Sequence, residues 1–182
     1  PCPYYINPST YNQYNMYNPY RMNQYPHWFR SPMYDKKPYN PSIELRDYGP
    51  EPFVVNIEEV TKQNDNFRTA LWTGDYLQLT LMSIDVRGDI GLEIHPNLDQ
   101  FIRIEEGQGI VKMGDKKDNL TFQREVYDDY AFIIPAGKWH NLINTGNKPI
   151  KLYYIYAPPQ HPYGTIHETQ EDAREAEESH DH

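Results

Sequence analysis

The chain has 182 residues, 38% of them hydrophobic, with a net charge of −9 at neutral pH, so one domain with extensions is expected. An acidic chain lacks the surplus of Lys and Arg that would neutralise nucleic-acid phosphates or dock on anionic lipid, so neither nucleic acid nor membrane is an expected partner. The only cysteine, Cys2, excludes an internal disulfide and a cysteine-based zinc site, and no membrane-spanning run or Sec leader is legible.

Residues 1–41 form a low-complexity arm rich in Tyr, Asn and Pro. Its charged residues are Arg21, Arg30, Lys36 and Lys37 against Asp35, a net of +3 that leaves −12 for the rest. Too few aliphatic residues are present for a core. Tyr11, Tyr14, Tyr17 and Tyr20 recur every third residue, a spacing that would line one face of a polyproline-II helix. The segment reads either as a tail or as an adhesive arm. Pro1 is expected to follow a removed initiator methionine.

Residues 42–163 alternate Val, Ile, Leu, Phe and Thr with polar residues, and turn signals recur about every 8–12 positions. This pattern predicts an all-β barrel or sandwich. Strands are expected near 53–57, 67–72, 76–85, 90–95, 98–105, 108–113, 120–126, 130–134, 139–144 and 150–157, with a short helix at Ile57–Gln63. Residues 164–182 form an acidic tail with a solvated helix over 168–178. His180 and His182 are read as incidental.

Two stretches carry the chemistry. One runs Gly88 to Gly107, with Glu93, His95 and Gln100 inside it; the other runs Asp129 to Asn144, with Pro135, Gly137 and His140. They resemble the two motifs of the cupin superfamily. Pro135, Gly137, His140 and Asn144 stand at the family spacing, and Asp129 replaces the opening Gly of the second motif. In the first motif Gly107 fits, Glu93 stands where the family has its first His, and Gln100 where it has Glu. The resemblance implies a double-stranded β-helix, a jelly-roll barrel, holding one divalent metal through Glu93, His95, Gln100 and His140. The two departures offset in charge but trade an imidazole for an amide oxygen. That favours Fe, Mn or Zn over Cu.

Read by alternation alone, Ile90, Leu92 and Ile94 would be buried and Glu93 and His95 would face water. The barrel reading inverts this. The apolar triplet then needs a cover, which makes a homodimer an expected partner state. Trp72 and Trp139 read as packing residues, Arg68 as a surface residue or, if it faces the lumen, as a group that would bind an anionic substrate, Lys138 as lying outside the pocket, and Asp128-Asp129-Tyr130 as a turn. Asp99, Glu105 and Tyr130 are the candidate acid/base residues near the site.

Two classes of function remain open. One is an enzyme acting on a small-molecule ligand; the resemblance extends to phosphomannose isomerase, whose ligands are of the same kinds, and to Fe(II) dioxygenases. The other is a structural protein, because the arm is similar in composition to spore-coat proteins and would provide self-assembly or coat contacts. The expected location is the cytoplasm, or a spore coat or surface layer assembled from it.

Overall fold

The structure, a computed structural model, describes residues 42–180, with the side chain of His180 excepted. The arm, Cys2 and His182 therefore lie outside the described residues. In chain order the elements are α1 (Ile57–Gln63), β1 (Arg68–Thr73), β2 (Gln78–Ile84), β3 (Glu93–Ile94), β4 (Asp99–Glu106), β5 (Gly109–Gly114), β6 (Phe122–Val126), β7 (Ala131–Ile134), β8 (Trp139–Asn144), β9 (Ile150–Ala157), β10 (Ile166–His167) and α2 (Gln170–His180). The strands form two antiparallel sheets, ordered β10-β1-β2-β9-β4-β7 and β3-β8-β5-β6. This is the all-β barrel expected from the sequence.

The main core fills the space between the sheets, and its composition changes along the barrel. The registers of β2, β9 and β4 align their inward residues in rows. Ile84 faces Ile150 at one end, then come Met82, Leu152 and Ile104, then Thr80, Tyr154 and Ile102, and finally Gln78, Tyr156 and Gln100. All of these are buried. One end of the lumen is thus an aliphatic plug and the other is polar.

The outer face of the six-stranded sheet has its own cover. Leu71, Leu81 and Val60 form a second core, packed by Ile43, Leu45, Tyr48, Phe53, Val55 and Ile57. Residues 53–57, expected as a strand, form no strand; they lead into α1 and serve this cover. α1 begins where expected because Asn56 caps it, its Oδ1 accepting from the Glu59 N–H. β10 was not legible beforehand: two residues give no periodicity, and its pairing with β1 is entirely non-local.

The expected strand 90–95 is reduced to Glu93–Ile94, and the reason bears on the site. Ile90 is buried in the main core, only 6% exposed, rather than on the outer face. Gly91 then adopts φ +89 and the chain bends at Leu92. A left-handed residue breaks the two-residue alternation, so Glu93 and not Leu92 turns inward, and Leu92 is left 38% exposed. No helix among the described residues is long and apolar enough to cross a membrane.

Candidate metal centre

Glu93 and His140 are direct cross-strand partners of β3 and β8. Their side chains meet: His140 Nε2 lies 3.1 Å from Glu93 Oε1. His95 Nε2 lies 3.5 Å from the same oxygen. The ligand atoms of all three residues fall within 4.8 Å of one another.

The motif glycines and amides show why the chain folds this way locally. Gly137, at φ +77, closes the turn before β8, and its N–H donates to the His95 carbonyl at 2.8 Å, tying the second motif to the first. Gly107, at φ +102, lies where a Cβ would come within 2.9 Å of the Ile150 Cα. Asn144 donates its Nδ2 to the carbonyls of Ile84, Asp85 and Lys148 and accepts from the Gly146 N–H. Asp129, which stands where the family has Gly, is itself left-handed at φ 71. Asp tolerates that region better than most side chains.

The tautomer of His140 follows from its backbone neighbour. Its Nδ1 lies 2.9 Å from the Lys138 carbonyl, which can only accept, so Nδ1 carries the proton. In the neutral ring Nε2 then presents a lone pair to a carboxylate oxygen. A bound cation would complete that arrangement. Burial pushes the Glu93 carboxyl up, but its contacts with His140 and His95 outweigh this and pull it down to about 2. The pocket therefore holds Glu93 ionised.

A divalent metal fits this donor set. Bonds of about 2.1 Å to nitrogen and oxygen place neighbouring donor atoms about 3.0–3.4 Å apart in tetrahedral or octahedral geometry. The contacts of 3.1 and 3.5 Å to Glu93 match that spacing. The Nδ1–H to carbonyl bond orients His140 as metal-bound histidines usually are.

Gln100 is placed differently from the other three. It is 1% exposed and stands in the row beside Tyr156, whose ring packs edge-on 6.1 Å from His95. Neither its Oε1 nor its Nε2 has a hydrogen-bond partner. The same is true of buried atoms in Arg68, Thr80, His95, Tyr154 and His161. Buried polar atoms without partners are few in folded proteins. Here nine occur among the described residues, and only Thr61 and Asn141 are outside this group.

Several sequence expectations change. Arg68 is 3% exposed and points inward with Ala70, instead of lying at the surface. Alternation did not settle its face, because β1 is buried on both sides. None of Asp99, Glu105 and Tyr130 serves the site. Asp99 is exposed and accepts from the Ala136 N–H, Glu105 pairs with Arg103 on the opposite face of β4, and Tyr130 is 49% exposed. Lys138 is paired with Asp115 outside the pocket as expected, and Asp128-Asp129 forms the expected turn.

Tyr154, Tyr156 and His161 were missed. The tyrosines look like strand aromatics in sequence, and His161 lies in the loop after Pro158-Pro159, outside both motifs. Burial pushes both tyrosine hydroxyls up, so they stay protonated. Burial, aided by Arg68, pushes His161 down to about 3, so it is a neutral imidazole at pH 7. Two openings reach this end of the barrel, of about 330 and about 600 Å³, and Glu93 and Glu177 line both.

The fold and the paired motifs define a small single-domain cupin, and the comparisons agree. A cupin-domain family model matches residues 80–156. The chain belongs to the cupin family. It is 67% identical over 137 residues to the uncharacterized protein YrkC of Bacillus subtilis, covering 75% of this chain and 74% of that one. It is 43% identical over 115 residues to the uncharacterized protein L612 of Acanthamoeba polyphaga mimivirus, covering 63% and 70%. The crystal structure of BH2720 from Bacillus halodurans is similar at 68% identity and a TM-score of 0.71, covering 71% of this chain and 98% of that one.

Proposed function

We propose that this cupin is a metal-dependent enzyme acting on a small molecule, with Glu93, His95, His140 and Gln100 holding one divalent ion of Fe, Mn or Zn. The observation that carries the reading is the concentration of unpartnered buried polar atoms around the Glu93, His95 and His140 cluster. Such atoms cost free energy in a scaffold and are satisfied by a ligand. When bound, the metal supplies a Lewis acid that polarises an oxygen of the small molecule.

The chain's own groups favour proton-moving chemistry of the isomerase or epimerase type over an Fe(II) dioxygenase. Tyr154 and Tyr156 remain hydroxyl donors at neutral pH, and His161 presents an unprotonated imidazole. Positioned donors and acceptors of this kind are what general acid–base catalysis requires. Elemental analysis of untagged protein, beside His95→Ala and His140→Ala, tests the reading. Near-stoichiometric metal that both variants lose is the expected result. Metal-free protein that refuses added Fe(II), Mn(II) and Zn(II) would sink it.

A second reading rests on the arm. The three-residue Tyr spacing of 11–20 favours contacts through aromatic rings, as in assembly into a coat or layer. Light scattering of the full chain and of a chain beginning at residue 42 tests it. Assembly that survives the truncation overturns this reading without touching the metal centre.

A further inference from the structure

Among the described residues, Arg68 is a buried cation at the polar end of the lumen that the metal reading leaves without a role. Its side chain is 4% exposed, and its hydrogen bonds run through Nη1 alone, to Glu177 Oε1 at 3.2 Å and to His167 Nδ1 at 3.4 Å. Nε is buried with no partner. A buried guanidinium presents a fork built for a carboxylate or phosphate, and here much of the fork is idle. Arg68 and Glu93 line the same opening of about 330 Å³.

Its present partner is an unusual one. Glu177 belongs to α2, which packs on the barrel through Ala173, and its own side chain is 59% exposed. Gln170, Ala173, Arg174 and Glu177 of this helix form one wall of the opening, and Glu177 also borders the second one. The lumen charges argue the same way. Arg68 and Glu93 cancel, so a divalent ion would leave the interior positive although the chain as a whole carries −9. Among the described residues lining the opening, Glu177 at the rim is the further carboxylate.

We propose that Arg68 anchors a carboxylate group of the small molecule this cavity takes, and that Glu177 occupies the anchor until the ligand displaces it. A carboxylate is the group indicated because one already fits there. α2, anchored on the barrel by Ala173 and by the Gln170 amide on Asp89, borders the opening, and a ligand of the same chemistry replaces its ion pair to Arg68. The inference deepens the reading of the lumen as a ligand cavity but does not require the metal.

Malonate is the probe, titrated by calorimetry into the metal-free full chain, with inorganic phosphate as the comparison anion. Removing the internal competitor with Glu177→Gln should tighten malonate binding about fivefold, the worth of one partly exposed ion pair. Arg68→Gln in the Glu177→Gln background should abolish it, and Arg68→Lys in that background should restore part of it. Far-ultraviolet circular dichroism confirms that each variant is folded. Unchanged affinity in Glu177→Gln, or malonate binding that persists without Arg68, would overturn the proposal, as would no malonate binding by any variant. Phosphate binding more tightly than malonate would overturn the assignment of a carboxylate. Because the titration uses metal-free protein, failure of the Arg68 anchor and failure of the metal reading are read in separate experiments, this one and the elemental analysis of His95→Ala and His140→Ala.

Discussion

Gln100 tests the metal centre from an unexpected side. Its amide is 1% exposed with both polar atoms unpartnered, so in metal-free protein it is a cost. Gln100→Leu should therefore stabilise the metal-free protein by about 1 kcal/mol in urea unfolding while weakening metal binding in a competition titration. A simple packing residue would lose stability under both conditions. His161 gives a pH signature. Its folded value of about 3 lies below its ordinary 6.5, so the unfolded chain binds the extra proton between those limits. Stability from this group is complete above pH 6.5 and is lost as pH falls toward 3, with a slope of at most about 1.4 kcal/mol per pH unit. In His161→Phe the slope of stability with pH between 6.5 and 3 should shrink by one proton's worth; an unchanged slope would show that the ring is not held neutral.

The elements are joined by a few side chains that collect backbone donors. Asp47 is 4% exposed and accepts from the N–H groups of Gly49, Thr73 and Gly164 and from the Thr73 hydroxyl. One carboxylate thus ties the N-terminal cover, the end of β1 and the loop before β10. Asp47→Ala strips the partners from these donors and should cost about 3 kcal/mol, read as a fall in the urea midpoint with little change in slope. At this scale the motif spacing was informative. Gly137, Gly107 and Asn144 act within or beside the turns they close. The barrel reading turned Glu93 inward but put Ile90 outside; that Ile90 also faces the core, through the break at Gly91, was not legible, because a glycine in a strand pattern announces a break without saying on which side the next residue emerges.

Across the barrel, the cover formed by residues 42–63 decides stability. It buries Leu71 and Leu81 completely, and each such side chain contributes about 1.5–3 kcal/mol. A chain beginning at residue 42 should keep the melting temperature of the full chain, whereas one beginning at residue 64 should aggregate on expression. Equal solubility of the two would mean that the outer face needs no cover. Ile90 faces the core and so offers the expected homodimer nothing; among the described residues, Leu92, Phe122, Ile133 and Ile166 are apolar side chains left exposed on the strands and beside them. Sedimentation at micromolar concentration reports that state directly.

By itself the sequence determined the β class, the turns and the two motifs in which Glu93, His95, Gln100 and His140 stand, because each is a pattern of residues a few positions apart. Only the tertiary structure decided that Arg68, Tyr154, Tyr156 and His161 share one polar end of the lumen, and that Glu177 closes on it from 109 residues away in the chain. The physical reason is register. Which face a residue takes in a sheet buried on both sides is fixed by its cross-strand partners, and those come from distant segments.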